Sequence, residues 1–345
     1  MSQFVFDGES LITPEAIAAE SQPPAADYGA ETLELARAEL ALVLSLARQG
    51  FERGKEPGEV IRRLAIDLHA ARAKYPPATW KALVPIVQNH PVSEFVLQDP
   101  FTRWSFEKPR GYSGDAHLLD FIYGHPSVAE EIEAATPLGR ELFAATREAS
   151  SSVAVRERRA ILTRQIDDTA NARGGEAEIL TIAAGHLREA DASTALREKR
   201  IRRWIAVDQD PLSVGSIARD FQGTCIEAID GSVRGLMHDA YGLGSFDLIY
   251  AAGLYDYLSE SVAIRLTRKC MQMLKPGGTF MFANFAQEIG VDGYMESCMN
   301  WALLLRSEAD MWKIINASTD RNAVEAKVFF GDNRNIVYAV INAPA

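Results

Sequence analysis

From Glu178 onward the sequence alternates short β-rich runs with longer helical ones, and this alternation restricts the fold more than any other feature. The runs are EILTIAA (178–184), RWIAVD (203–208), TCIEAI (224–229), FDLIYAA (246–252) and GTFMFANF (278–285). Continuously apolar strands separated by helices of this length form a parallel sheet covered by helices on both faces. Two further runs, EAKVFF (325–330) and NIVYAVI (335–341), are joined by the turn GDNR and predict a terminal antiparallel hairpin. The expected class is α/β: a Rossmann-like, seven-stranded, mostly parallel sheet closed by that hairpin.

Before the alternation the pattern is helical. ETLELARAELALVLSLARQG has apolar residues at 33, 35, 40, 42, 44 and 46 and closes on a glycine. GEVIRRLAIDLHAARAKYP repeats the pattern and stops at Pro76. Further helices are expected over 78–89, 116–123, 127–135 and, as one long element, 138–172, with two more over 293–305 and 307–317. Residues 1–30 contain SQPPAADYGA and read as an arm with little regular structure. The predicted organisation is an arm (1–30), an all-helical lid or substrate domain (31–175) and a sheet domain (176–345).

Composition narrows the choice of partner. At 345 residues and 47% hydrophobic, the chain fills two modest cores. Its formal net charge of −11 is spread along the chain, which disfavours nucleic acid. Arginines cluster at 156–164 and 197–203, but glutamates sit among them and both clusters read as helix faces. Cys225, Cys270 and Cys298 have the spacing of neither a disulfide framework nor a metal site, and no metal is expected. The best apolar run, 33–47, carries Glu34, Arg37 and Glu39, so no membrane span is predicted. MSQFVFDGES lacks the basic and apolar regions of a signal peptide. The expectation is a cytoplasmic protein with a small-molecule substrate, acting on neither nucleic acid nor membrane; a homodimer is compatible with the sequence.

The exit of the first strand, AAGHLRE (183–189), holds one glycine where a dinucleotide-binding loop holds three. The second glycine of such a loop admits a pyrophosphate and the third packs helix against strand. Here His186, Leu187 and Arg188 would crowd a diphosphate. The acidic partner is in place, however: RWIAVDQDP ends its strand at Asp208, about 20 residues on, where a carboxylate accepts hydrogen bonds from both ribose hydroxyls. A nucleoside without a pyrophosphate describes S-adenosylmethionine.

AEILTIAAGHLREA, IAVDQDP, FDLIYAAGLYDYLS and MLKPGGTFMFANF resemble, in order and spacing, the successive motifs of class I S-adenosylmethionine-dependent methyltransferases over roughly residues 176–342. The LKPGG turn and the closing hairpin are the most telling parts, because a plain dinucleotide domain lacks both. The family's first motif usually carries more glycine than this one. FEKPRGYSGDAHLLDFIYG (106–124) is similar to a Lys-Pro-Arg-Gly-Tyr-x-Gly-Asp string preceding the methyltransferase core in a bacterial subgroup. That subgroup includes proteins labelled as fatty-acid methyl ester synthases.

The resemblance implies roles for individual residues. Ala183 to Gly185 map onto the methionine part of the cofactor, and Asp208, with Gln209 beside it, onto the ribose. Asp230, Gly231, Ser232 and Val233 end the third strand, which flanks the adenine. Gly253, Tyr255, Asp256 and Tyr257 leave the fourth strand, where groups face the sulfonium; the alternative for Tyr255 and Leu258 is the buried side of a short helix. In the helical half, RGYSGD sets glycines on both sides of Tyr112. Arg110 and Tyr112 are expected to point inward from a lid, and Asp115 either to contact substrate or to cap the following helix. His117, beside this loop, is a catalytic candidate or a helix-surface residue. Trp301 is a candidate substrate contact, and Arg110, Arg188 and Arg306 are candidate partners for a substrate carboxylate.

The implied reaction is in-line methyl displacement onto a carboxylate oxygen, or onto N or S of an amino-acid-like metabolite. It demands positioning and exclusion of water more than proton transfer, and aromatic rings such as Tyr112 and Tyr255 would stabilise the sulfonium. Two rivals remain. An NAD-dependent oxidoreductase would need the glycine-rich pyrophosphate loop that is absent. A non-catalytic sensor or partner protein would share the cofactor loop and differ in lacking turnover.

Overall fold

A computed structural model describes residues 30–345; the predicted arm, apart from Ala30, lies outside the described residues. The longer helices before the first strand are α1 (Ala30–Glu52), α2 (Pro57–Lys74), α3 (Pro77–Asn89), α4 (Pro100–Glu107), α5 (Ala116–Tyr123), α6 (Pro137–Thr146) and α7 (Ser150–Ala172). Three of them start on the same device, a capping side chain followed by proline. Glu56 accepts from Gly58 and Glu59 N–H before α2, Asp99 from Phe101 before α4, and Thr136 from Gly139 before α6. Proline has no N–H to leave unpaired, and each cap contributes about 1 kcal/mol. The helix predicted over 138–172 is therefore two. Thr146 ends α6 by donating its Oγ1 to the buried Asp99 Oδ2 at 2.9 Å, and Ser152 Oγ donates to the Thr146 carbonyl at 3.0 Å. These bonds fix the chain's turn between α6 and α7.

The seven strands are β1 (Ala177–Ile182), β2 (Ile201–Asp208), β3 (Ile226–Asp230), β4 (Phe246–Ala251), β5 (Leu274–Phe285), β6 (Glu325–Phe330) and β7 (Ile336–Asn342), in the order β3-β2-β1-β4-β5-β7-β6. Pairing is parallel from β3 through β5, and β7 is antiparallel to both its neighbours. This is the seven-stranded, mostly parallel sheet with a terminal antiparallel hairpin that the sequence predicts. Between the strands lie α8 (Pro211–Asp220), α9 (Glu260–Gln272), α10 (Asp292–Ser297) and α11 (Glu308–Ser318). LKPGG belongs to the start of β5, where the register slips between Phe246 and Leu248 and Gly277 takes φ 65°. One hydrophobic cluster joins Leu180, Ile205, Ile249, Phe280, Phe282 and Val337 to Leu266 of α9 and Ile314 of α11. At the amino ends of the strands, buried Asp247 accepts from the Glu178 N–H at 2.8 Å and pairs with Lys275 at 2.9 Å and Arg173 at 3.0 Å.

Contacts divide the described chain into two units at a place the sequence did not predict. The sheet unit begins at Ala154, inside α7, whereas 289–303, carrying α10, belongs with the helices. The reason is specific packing. Asp292 pairs with His69 Nδ1 at 2.7 Å and with Arg72 at 2.8 Å, while Glu296 pairs with Arg72 and accepts from Trp80 Nε1 at 2.6 Å. A Cβ on Gly293 would sit 2.3 Å from the Leu68 carbonyl oxygen, so only glycine permits this approach. The helix predicted over 293–305 ends at Ser297, and Trp301 lies in irregular chain beyond it.

Candidate functional site

In the sheet unit, the order of strands reverses between β1 and β4, and ligands of such sheets bind outside the carboxyl ends at that switch. The loop leaving β1 has three left-handed residues in five: Ala183 (φ 55°), Gly185 (φ 57°) and Leu187 (φ 54°). Ala183 is exposed, whereas His186 and Leu187 are buried. The Gly185 N–H donates to Asp208 Oδ2 at 2.7 Å, and the Asp210 N–H donates to Asp208 Oδ1 at 2.8 Å. The loop is thereby pinned to the end of β2. Burial pushes the Asp208 carboxyl up to about 6, against the pull of these two N–H groups. Each oxygen of the carboxylate keeps capacity to accept a second hydrogen bond.

Behind the loop is a buried polar group that sequence reasoning missed. Tyr250 OH donates to Glu189 Oε1 at 2.6 Å, and Thr163 Oγ1 of α7 donates to the Glu189 carbonyl at 3.0 Å. Arg158 Nη1 donates to the Ala252 carbonyl, where β4 ends, at 2.9 Å. Burial raises the Glu189 carboxyl, and the Arg158 charge opposes that shift. The run 156–164 is thus more than a helix face, because Arg158 is only 3% exposed. The signal was available: Arg158 falls three residues after Val155 and four before Leu162, within a buried stripe.

At the ends of β2 and β3, Gln209 and Asp230 are exposed. The Gly231 N–H donates to the Asp208 carbonyl at 2.9 Å, and a Cβ there would meet Val207 Cγ1 at 2.8 Å. Gly231 is therefore demanded by packing. Ser232 caps the short helix Val233–Met237, its Oγ accepting from the Gly235 N–H at 3.0 Å. Its own N–H donates to Tyr241 OH at 2.8 Å.

The exit of β4 differs most from expectation. Gly253 has φ −127°, which any residue adopts, and the chain then makes the tight helical turn Leu254–Tyr257. That turn carries Tyr255 into the core, 0% exposed, with its ring 4.2 Å from that of Phe282 and its hydroxyl 2.8 Å from Thr267 Oγ1. Tyr255 presents no ring to a ligand; its buried alternative is the observed one, and Leu258 is buried with it. Asp256 is buried too, accepting from the Phe285 N–H at 2.6 Å. Burial pushes its carboxyl up to about 7, opposed first by Arg158. Arg306 donates to the carbonyls of Tyr255 and Leu258 and to Asn284 Oδ1, so it is no spare substrate cation. Arg188, 5% exposed, pairs with Asp220 at 3.1 Å.

Arg110, Tyr112, Asp115, His117 and Trp301 all belong to the helical unit. Asp115 is 2% exposed and caps α5, accepting from the His117 and Leu118 N–H groups at 2.9 and 3.0 Å. It also accepts from Trp104 Nε1 at 2.9 Å and lies 3.8 Å from Arg110 Nε. His117 Nε2 is 3.0 Å from Glu131 Oε1, and its ring sits 4.1 Å from that of Trp104. Tyr112 is half-buried between Gly111 (φ 84°) and Gly114 (φ 72°). Ser113 Oγ donates to the Asn300 carbonyl at 3.5 Å, bringing this turn beside the segment of buried Trp301. Among the described residues, no three His, Cys, Asp or Glu side chains are grouped to hold a metal, and no helix is long and apolar enough to cross a membrane.

No family model and no curated protein matches the sequence. Solved structures do resemble the fold. A possible exported protein from Bordetella parapertussis is similar over 92% of this chain and 100% of its own, at 16% identity and a TM-score of 0.53. The N-methyltransferase NodS from Bradyrhizobium japonicum, solved with S-adenosyl-L-homocysteine, aligns over 66% of this chain and 100% of its own, at 19% identity and a TM-score of 0.40. A TehB-like S-adenosylmethionine-dependent methyltransferase from Corynebacterium glutamicum aligns over 52% of this chain and 86% of its own, at 20% identity and a TM-score of 0.38. These likenesses concern fold alone.

Proposed function

We propose that the protein is an S-adenosylmethionine-dependent methyltransferase with a small-molecule acceptor, a carboxylate oxygen foremost. One observation carries this reading. The single-glycine loop after β1 is fixed by its N–H to a carboxylate at the end of β2, beside the switch point of a sheet closed by an antiparallel hairpin. The donor set suits a nucleoside without phosphates. Asp208 would accept from the ribose hydroxyls, exposed Ala183 and the backbone to Gly185 would border the amino-acid end, and Gln209 and Asp230 the base. Leu187 and His186 close the loop where a diphosphate needs glycines.

When bound, S-adenosylmethionine supplies a methyl carbon already activated by its sulfonium. The chain's task is then to orient the acceptor and exclude water. A carboxylate acceptor needs no base, which agrees with the burial of Tyr255 and Asp256 in the packing beyond β4. The helical unit, with Arg110, Tyr112 and the segment around Trp301, is the source of acceptor contacts in this reading. The three free cysteines agree with activity in the cytoplasm.

Calorimetry tests the cofactor. S-adenosylmethionine and its demethylated product are expected to bind at micromolar concentration and NAD not measurably; tighter NAD binding would overturn the proposal. Cofactor binding without turnover of any carboxylate, amine or thiol acceptor would make the protein a sensor instead.

A further inference from the structure

Helix α1 is apolar on two faces, and its own unit covers one of them. Ala36, Leu40, Leu44 and Ala47 are buried. Leu35, Leu42 and Leu46 stand 55%, 62% and 58% exposed, and they are three of the six large apolar side chains exposed among the described residues. At 3.6 residues per turn the three point within about 40° of one another, a stripe along the outside of the helix. Ala38 and Ala41, also exposed, lie beside it. A scattered surface leucine needs no account, whereas a stripe over three turns of one helix calls for a partner. Glu34 and Arg48 flank the stripe seven residues to either side of Ala41, both exposed and each paired within α1, with Arg37 and Glu52 at 2.7 Å. Exposed pairs of this kind exchange partners at little cost. Glu39, the one acidic interruption, is neutralised by Lys74 at 2.6 Å.

We propose that this face of α1 joins two copies of the chain, as antiparallel helices about a two-fold axis near Ala41. Such an axis sets Glu34 opposite Arg48 of the second copy, and does so twice. It also brings Leu35 to Leu46 of the second copy and Leu42 to its own counterpart, with the small side chains of Ala38 and Ala41 leaving room for close approach. A parallel pair would place Glu34 against Glu34 and Arg48 against Arg48, so the order of charges selects the antiparallel, self-complementary arrangement. The chain's own N-terminal arm is the poorer occupant. Residues 1–29 carry Asp7, Glu9, Glu15, Glu20 and Asp27 but no lysine or arginine, and so have no cation for Glu34. A helix of 23 residues is about 35 Å long. Two of them make an interface at the small end of the specific range, about 1,000 Å², so the association is expected to be micromolar. The assignment does not rest on the proposed activity.

Sedimentation equilibrium of the full chain, from about 1 to 200 μM, tests this. A reversible monomer–dimer equilibrium is expected, with a dissociation constant on the order of 10 μM. Leu42 meets its counterpart at the axis, so Leu42→Lys should weaken dimerisation by about tenfold or more while leaving the melting temperature of the dilute monomer unchanged. Glu34→Lys and Arg48→Glu should each weaken self-association by about threefold or more. An equimolar mixture of those two variants should form mixed dimers, because both cross-pairs then join opposite charges. The double variant Glu34→Lys/Arg48→Glu should recover the wild-type constant to within about threefold. A chain still monomeric at the highest concentration would overturn the assignment and give the face to the arm or to another protein. A dimer indifferent to Leu42→Lys would also overturn it, as would charge variants that associate as tightly alone as when mixed.

Discussion

The loop after β1 and the turn after α4 are made of the same parts: left-handed residues, a glycine and a charged side chain. They use the charge in opposite ways. Asp208 is met from both sides by backbone N–H groups of Gly185 and Asp210, so its charge shapes the protein first. Lys108 closes α4 through its backbone alone, and desolvation holds its ammonium below the usual lysine range. A charge that holds a loop belongs to a site formed before its ligand arrives.

The largest expected effect breaks the first half of that contrast. Asp208→Ala removes the acceptor of two N–H groups and of the ribose together. S-adenosylmethionine affinity should fall by roughly 1.5–3 kcal/mol, the range for hydrogen bonds to a charged group, and the melting temperature should fall with it. Unchanged affinity by calorimetry would show that Asp208 is a loop anchor only.

Tyr112→Ala comes next and tests the helical turn. Tyr112 is half-buried between two left-handed glycines, in the same turn as Lys108. Turnover should drop by one to two orders of magnitude, about 1.4–2.8 kcal/mol in barrier, with only a small loss of melting temperature. Tyr112→Phe should keep most of the rate. A large loss of stability with normal turnover of the folded fraction would make Tyr112 a structural residue.

What the sequence made legible follows the same division. A buried parallel strand is a continuous apolar run, so its end is marked by the first polar residue, and Asp208 and Gly185 could be placed from that alone. The hairpin was equally readable from its turn residues. Past β4 the reading stayed open for a local reason: LYDY can continue as loop or as a tight helical turn, and that one choice decides whether Tyr255 is presented outward or packs on the Phe282 ring. Arg158 was easy to pass over because it stands among Arg156, Arg159 and Arg164, and only its spacing from Val155 and Leu162 sets it apart. The insertion of 289–303 into the helices was hidden because helical periodicity shows which face is apolar but not which unit covers it. Asp292, Gly293 and Glu296 mark it only once His69, Leu68 and Arg72 are known to lie opposite. Removing residues 31–175 would therefore expose Tyr294, Met295 and Trp301, which are buried in the intact chain.

A smaller effect sharpens the account of β4. Tyr255→Phe removes the hydroxyl bonded to Thr267 but keeps the ring on Phe282. Stability should fall by about 1 kcal/mol, the net contribution of one buried hydrogen bond, and turnover should not change. A tenfold loss of turnover at unchanged melting temperature would return Tyr255 to the site.

The smallest expected effect separates the two uses of Asp208 by pH. Its carboxyl titrates near 6 in the folded protein, raised by burial, whereas an unfolded aspartate titrates near 3.9. Between those values the folded state holds a proton that the unfolded chain has released, so this group's contribution to stability is full below the unfolded value and is lost as pH rises through about 6. Asp99, also raised to about 6, and Asp256, raised to about 7, act in the same direction. Ribose binding runs the other way, because a protonated Asp208 has less to offer two hydroxyl donors. Lowering pH from 7 to 5.5 should weaken S-adenosylmethionine binding by about fourfold if only the ionised form binds. Over the same interval these three carboxyls should add to the unfolding free energy. Affinity and stability should therefore move in opposite directions in parallel calorimetric and denaturant titrations. Cofactor affinity that stays level from pH 7 to 5.5 would mean that the ribose is held elsewhere and that Asp208 serves the loop alone.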